Sequence, residues 1–189
     1  MNEKILMMRS AKAKLTGLWA EAAIGSLIYI ALTALASSTS LLEIVVYGPL
    51  TFGYYLFMAC LVDRKENNLN LLFQGFNRFV ETLVAGLLLT VAVSIGLILL
   101  VVPGIILACG FAMTFYIMID DPNISGLDAL KQSWNMMQGR KWDFFCLQLR
   151  FLGWIILSII TCGIGYIWLS PYMTITNLNY YRKIRYNTF

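Results

Sequence analysis

The feature that most constrains this chain is a nearly uninterrupted apolar run from Val80 to Asp121. As one helix rising about 1.5 Å per residue, it would reach roughly 60 Å, about twice the thickness of a bilayer core. The run must therefore fold back on itself. Pro103 removes a backbone donor and Gly104 tolerates positive φ, so these two residues are predicted to form the turn of a helical hairpin with arms at residues 80–102 and 104–119.

The composition places the chain among membrane proteins. Apolar residues make up 59% of the 189 residues and charged residues only 13%, whereas soluble domains carry about a quarter charged residues. The net charge of +4 comes from short basic clusters at the edges of apolar runs, which favours membrane topology over nucleic-acid binding. We predict an all-α polytopic membrane protein whose partners include membrane lipid and exclude nucleic acid.

The cysteines and the absence of histidine limit the chemistry. The four cysteines have no CxxC spacing and lie in apolar segments, which is typical of small packing residues. Histidine, the commonest general base and zinc ligand, is absent. We predict no metal site and no cofactor.

The first two apolar segments, residues 16–36 and 41–62, are predicted spans. A basic start and an apolar middle also describe a secretory signal peptide, but Glu21 interrupts the segment and more spans follow, so we expect the first span to remain. Pro49 should kink the second span because it removes an intrahelical hydrogen bond.

Two polar-apolar segments are predicted to be amphipathic helices on the membrane surface. Between Leu69 and Val80, apolar residues recur at helical spacing. The second helix begins with a capping box at Ser125 and ends at Gly139. In the hairpin between them, small residues at Gly104, Ala108 and Ala112 predict close packing against another span.

The last forty or so residues favour two spans, residues 142–161 and 164–181, over one long span. Two spans place the basic residues that follow residue 181 on the same side as the other basic clusters. Pro171, inside the last span, is assigned a structural role like that of Pro49. The result is six transmembrane helices as three hairpins, with both termini cytoplasmic and every Lys and Arg except Arg150 in a cytoplasmic segment.

Several short motifs in one order resemble a known family. They are Gly48-Pro49-Leu50, Gly53-Tyr54-Tyr55, Phe73-Gln74-Gly75-Phe76, Val102-Pro103-Gly104-Ile105, Asp121-Pro122, Ser133 with Met136-Met137 and Gly139, Gly153-Trp154, Gly163-Ile164-Gly165 and Pro171-Tyr172. Together they look like the bacterial integral membrane family called domain of unknown function 975, across nearly the whole chain. The layout also resembles, more distantly, the non-catalytic membrane domain attached to some glycerophosphodiester phosphodiesterases. The resemblance implies a protein of the bacterial inner membrane, and it implies no activity, substrate or catalytic residue. This sequence departs from the expected pattern at Arg150, where a small residue is expected just before Phe151.

Three charged residues are candidate ligand or ion sites. Arg150 lies inside a predicted span, where a charge is costly, so it is either functional or extends its side chain to the headgroups. Glu43 and Glu21 lie near span ends, where solvation at the interface is the simpler interpretation. Asp120 and Asp121 could form an acidic pair with Asp143 and bind a cation, but we favour a helix end beside Pro122 with solvated carboxylates.

Seven aromatic residues offer surfaces for a ligand, although aromatic belts at the two membrane interfaces are the favoured interpretation. They are Tyr29, Tyr47, Tyr54, Tyr55, Tyr166, Trp168 and Tyr172.

No sequence motif supports an enzyme, because the chain has no nucleophile elbow and no phosphate-binding glycine loop. The first hypothesis is a non-enzymatic scaffold or accessory factor, with a protein partner at the cytoplasmic face or a homo-oligomer. The second is a small transporter or an export or immunity component for an amphipathic molecule, motivated by the helices broken at Pro49 and Pro103 and by Arg150.

Overall fold

The fold is all-α. The computed structural model describes residues 3–37, 40–63, 68–99, 101–161 and 163–186, and these contain no strand. The helices are α1 (Glu3–Leu15), α2 (Trp19–Ala36), α3 (Ser40–Val62), a 3₁₀ segment (Leu69–Arg78), α4 (Phe79–Leu99), α5 (Val101–Phe111), α6 (Thr114–Asp120), α7 (Gly126–Met136), α8 (Lys141–Ile160) and α9 (Ile164–Tyr186).

Five stretches of the described chain are long and apolar enough to cross a membrane. They are Trp19–Ala36, Val45–Val62, Leu69–Ile98, Val101–Asp120 and Lys141–Ile160. Four of the predicted spans therefore coincide with α2, α3, α4 and α8. The sixth predicted span, residues 164–181, is a helix, but it is not among these five because its second half is polar.

The basic N-terminal segment forms a helix that the sequence analysis did not predict. Met7, Ala11 and Leu15, spaced four residues apart, are buried, and α1 packs against α9. These three residues form a short apolar stripe on a helix that is otherwise rich in lysine and arginine, so the segment as a whole does not have an apolar composition. Gly17, with φ of 88°, allows the turn into α2 because a residue without Cβ adopts positive φ at no steric cost.

In the predicted central hairpin, α4 and α5 pack against each other, but Pro103 and Gly104 do not form the turn between them. They are the third and fourth residues of α5. Proline fits the first helical turn because the amide there has no intrahelical acceptor. Gly104 does not have positive φ; its role is close packing, since a Cβ atom there would lie 2.6 Å from Leu97 Cγ.

The second arm of this hairpin is two helices, where one helix over residues 104–119 was predicted. Ala112 and Met113 form a turn between α5 and α6. The predicted small-residue stripe is correspondingly incomplete. Gly104 is buried, Ala108 is exposed and Ala112 is partly buried, so only the first member packs closely against α4.

The segment predicted as an amphipathic α-helix up to Val80 is a 3₁₀ segment that continues into α4. It packs closely along α3, because glycines on both partners bring the backbones together. A Cβ atom on Gly53 would clash with the Leu72 carbonyl, and one on Gly75 would clash with the Pro49 carbonyl. These contacts explain the glycines around Pro49, which lies inside α3.

Local signals were more reliable at α7 and in the last hairpin. The Ser125 side chain accepts a hydrogen bond from the Asp128 amide at 3.2 Å, which confirms the capping box. Gly139, with φ of 73°, ends the region as predicted. Gly163, with φ of 84°, separates α8 from α9, so two helices occupy the last part of the chain, and Pro171 lies within α9.

Exposed apolar residues and buried clusters lie at different ends of the helices. The residues around the α4–α5 and α8–α9 turns are exposed and apolar, and Ile98 is 84% exposed. The two buried clusters instead draw mainly on α1, the second half of α3, α6 and the second half of α9, with one or two residues each from the 3₁₀ segment and from α2, α4, α5, α7 and α8. The helices therefore join a packed end to hairpin tips with an apolar surface, the distribution expected where lipid surrounds the tips.

Candidate functional site

Charged side chains from α1, α6, α8, α9 and the end of α3 meet at the packed end of the fold. We name this region the charged end, defined by Lys4, Lys14, Asp63, Asp120, Asp143, Arg182 and Arg185. Arg182 and Arg185 come from the last turns of α9, and each reaches a carboxylate at the end of another helix. The ends of several helices lie together in this region, and its ion pairs connect α1 to α8 and α9 to α3 and α6.

Arg182 and Asp63 form a two-point ion pair. The two guanidinium nitrogens lie 2.8 and 2.6 Å from the two carboxylate oxygens, and both side chains are less than a third exposed. This parallel geometry is the strongest that arginine makes with a carboxylate. The hydrogen bonds to Asp63 raise the pKa of Arg182. The pair ties the last turns of α9 to the end of α3.

Asp120 is held by two tyrosines and an arginine. The Tyr181 and Tyr186 hydroxyls donate to one Asp120 oxygen at 2.8 and 2.6 Å, and Arg185 Nε lies 3.6 Å from it. Arg185 also donates to the Tyr181 hydroxyl at 2.6 Å. The hydrogen bond to Asp120 raises the pKa of Tyr186, because it stabilises the protonated phenol beside a carboxylate. Asp120 thus ties α6 to α9.

α1 joins the charged end through two lysines. Lys14 donates to the Asn179 side-chain oxygen at 2.8 Å, and the Asn179 amide lies 3.4 Å from the Met7 carbonyl. Burial lowers the pKa of Lys14, the positive charge of Arg182 lowers it further, and Asp63 opposes the shift. Lys4 pairs with Asp143 at 3.2 Å, beside a pocket of about 310 Å³.

A column of tyrosines extends from the charged end into the bundle. Tyr29 and Tyr54 stack with ring centroids 4.5 Å apart, Tyr55 and Tyr116 at 4.8 Å, and Tyr116 and Tyr181 at 5.7 Å. Tyr54 is only 2% exposed, and its hydroxyl bonds to serine hydroxyls on α2 and α9. For Tyr54 the belt interpretation is therefore wrong, because its ring is interior packing.

The break between α5 and α6 is closed by side chains from other helices. Ser133 on α7 donates to the Gly110 carbonyl at 2.8 Å and accepts from the Met113 amide at 3.2 Å. Arg78 donates to the Met118 and Ile124 carbonyls at 3.3 and 2.7 Å, near the end of α6. These backbone groups are therefore satisfied within the protein.

The predicted candidates Arg150, Glu43 and Glu21 are not part of the charged end. Arg150 is half-buried on α8, and within the described part of the chain it forms no hydrogen bond or ion pair. Glu21 lies in the first turn of α2. Glu43 lies in α3, and its side chain is outside the described part of the structure.

The carboxylates of the charged end are each bound by separate partners. Asp120 and Asp143 each have their own basic or phenolic partners, and the described residues contain no group of three or more metal-ligand side chains. Asp120 ends α6, as predicted, but its carboxylate is bound by tyrosines and an arginine and is not simply solvated as expected. Asp63, Arg182 and Arg185 were not predicted to act together; the available signal was a carboxylate just after the second and fourth predicted spans and basic residues after the last one.

Comparison with known proteins identifies a family. A family model described as "Protein of unknown function (DUF975)" matches residues 89–188, which covers α5 to α9 and part of α4. Searches of the curated proteins and of the solved structures returned no match.

Proposed function

We propose that this chain, which belongs to the family of proteins of unknown function DUF975, is a non-enzymatic scaffold or accessory factor of the bacterial inner membrane. In this proposal it crosses the membrane six times, as three hairpins, with both termini in the cytoplasm. Five apolar helices support a multi-pass protein, and α9 supplies the sixth span. The charged end faces the cytoplasm because basic residues are retained on that side.

The observation that carries a scaffold role over transport is the complete internal pairing of buried polar groups. In the described part of the chain, no buried side-chain nitrogen or oxygen lacks a hydrogen-bond partner. A substrate pathway would present polar groups that a substrate or ion can bind. At the break between α5 and α6, Ser133 binds the Met113 amide and the Gly110 carbonyl, so these two backbone groups are not available to a substrate.

α7 supplies a surface for a cytoplasmic partner. Its inner face is packed, with Ala129, Leu130 and Ser133 buried. Its outer face is exposed and mostly polar, with Asp128, Lys131, Gln132 and Asn135 in α7 and Gln138 just after it, although Leu127 in the first turn is also exposed. α7 connects the end of α6 to the start of α8, both at the charged end, so a soluble protein, or the same face of a second copy, can reach it.

Site-specific photo-crosslinking in cells tests this function. A photoreactive residue at Gln132 should form discrete protein adducts, because the position faces the cytoplasm. The matched control is Ile98, at an exposed hairpin tip, where the same residue should label lipid. Absence of protein adducts from Gln132, or identical adducts from both positions, would contradict the proposal.

A further inference from the structure

A groove of about 420 Å³ lies outside the charged end, between the α1–α2 turn and the α8–α9 pair. Three of the five tryptophans of the chain line it: Trp19 from the start of α2, Trp154 from α8 and Trp168 from α9. Trp154 is 57% exposed and Trp168 is 50% exposed. Indole rings are enriched where a membrane protein meets the lipid interface, because they are apolar but carry one donor.

The groove contains one charged group, at its α1 side. Lys12 lines it, and its ammonium has no hydrogen-bond or ion-pair partner among the described residues. The two hydroxyls in the α8 wall are already used: Ser158 donates to the Trp154 carbonyl at 2.8 Å, and Thr161 to the Ser158 carbonyl at 3.0 Å. An occupant that matches this lining is apolar along most of its length and carries one anionic group at one end.

We propose that the groove binds one acidic phospholipid, with its phosphate on Lys12 and an acyl chain against the three tryptophans. The groove extends from Lys12 and Trp19 at one end to Thr161 and Gly165 at the α8–α9 turn, so an acyl chain can lie along it with its headgroup at Lys12. A basic side chain at the inner end of an apolar groove is the arrangement by which membrane proteins select anionic headgroups. The inference rests on the membrane placement proposed above but not on the scaffold role.

Two other pockets that contain a lysine, both among the described residues, do not combine these properties. A groove of about 270 Å³ beside α5 and α8 is also apolar and contains Lys141, but the Lys141 ammonium lies 3.0 Å over the Trp134 ring and is already engaged. In the 310 Å³ pocket of the charged end, Lys4 is paired with Asp143. Of the three lysines compared, Lys12 is the one whose ammonium has no partner among the described residues and remains available to a ligand.

Native mass spectrometry of the full-length protein in mild detergent tests the proposal. Phosphatidylglycerol and phosphatidylcholine with identical acyl chains are added separately, and the fraction of protein that retains one lipid is compared. We expect preferential retention of phosphatidylglycerol. Lys12→Gln should lower that preference about fivefold, the factor expected from one basic side chain near an anionic lipid. Lys131→Gln, a charge-matched change on exposed α7, should leave it unchanged.

A second pair of variants tests whether the acyl chain lies in the groove. Leu157→Trp fills the groove and should lower retention, whereas Leu152→Trp, on the same helix but outside the groove, should not. Equal retention of the two lipids, or equal effects of Lys12→Gln and Lys131→Gln, would overturn the proposal. Such a result would leave the scaffold role standing, since crosslinking from Gln132 tests it separately.

Discussion

Arg182 illustrates how single side chains join the helices of this fold. Its bond to Asp63 connects residues 119 positions apart, and both groups are largely shielded from water. We expect Arg182→Gln and Asp63→Asn to be coupled by about 1 to 2 kcal/mol in a double-mutant cycle, because each substitution removes the same pair of charged hydrogen bonds. Unfolding free energies from titration with a denaturing detergent give the measurement.

The control for this cycle is the Lys131–Asp128 pair, at 3.7 Å, whose side chains are 75% and 63% exposed. Exposed ion pairs contribute little, so its coupling should stay below about 0.5 kcal/mol. Additive effects of Arg182→Gln and Asp63→Asn would show that the charged end does not hold α9 to α3.

The Arg150 side chain has no hydrogen-bond or ion-pair partner among the described residues, so its replacement should have little effect on stability. Arg150→Leu should leave protein abundance and thermal stability in detergent nearly unchanged, within about 0.5 kcal/mol. Gln148→Leu, two residues earlier on α8, should cost about 1 kcal/mol because it breaks the 2.8 Å hydrogen bond to Asn177. A strong loss of stability from Arg150→Leu would instead indicate a structural ion pair.

Residue-level prediction succeeded where the signal is local. The Ser125 cap and the positive φ of Gly139 depend on neighbours a few positions away, and both could be predicted. The bonds of Asp63 and Asp120 to the end of α9 depend on how helices far apart in the chain pack together. A single sequence contains no direct record of that packing, so the charged end could not be assembled from it.

Among the elements, the α4–α5 hairpin offers the sharpest test. A side chain at Gly104 would meet Leu97, and Gly96 and Gly104 pack backbone to backbone. Gly104→Leu should therefore lower the unfolding free energy by about 1 to 3 kcal/mol through overpacking. Gly153→Leu is the matched control: it is also a glycine within a helix, but nothing lies within 4 Å of its added Cβ.

Gly153→Leu should be neutral or slightly stabilising, because glycine is a poor helix former by about 1 kcal/mol. Thermal unfolding in one detergent compares the two variants. Equal melting temperatures would mean that the hairpin does not depend on close approach at Gly104.

The elements that the sequence misassigned were decided by contacts between elements. Apolar spacing between Leu69 and Val80 fits an amphipathic α-helix, but glycines on α3 and on the segment draw the two backbones together, and the segment is 3₁₀. The break at Ala112–Met113 contains no proline, so the sequence gives no signal for it. It is stabilised by Ser133 on α7, a side chain twenty residues or more from the backbone groups it binds.

For the whole molecule, the apolar composition predicted most of the helices that are long enough to cross a membrane. Four predicted spans are long apolar helices, and the second arm of the central hairpin is a fifth apolar stretch despite its break. α9 is the exception. Its second half is polar and largely buried against other helices, so hydropathy alone does not decide whether it crosses the membrane.

The side on which the C-terminus lies tests the three-hairpin account most directly. Six spans place both termini in the cytoplasm, whereas five would place them on opposite sides. Paired reporters, one active only in the cytoplasm and one only outside it, are fused after Phe189 and, separately, inserted in the turn at Ser37. The account predicts cytoplasmic activity at Phe189 and external activity at Ser37. External activity at Phe189 would contradict it, because α9 would then not cross the membrane.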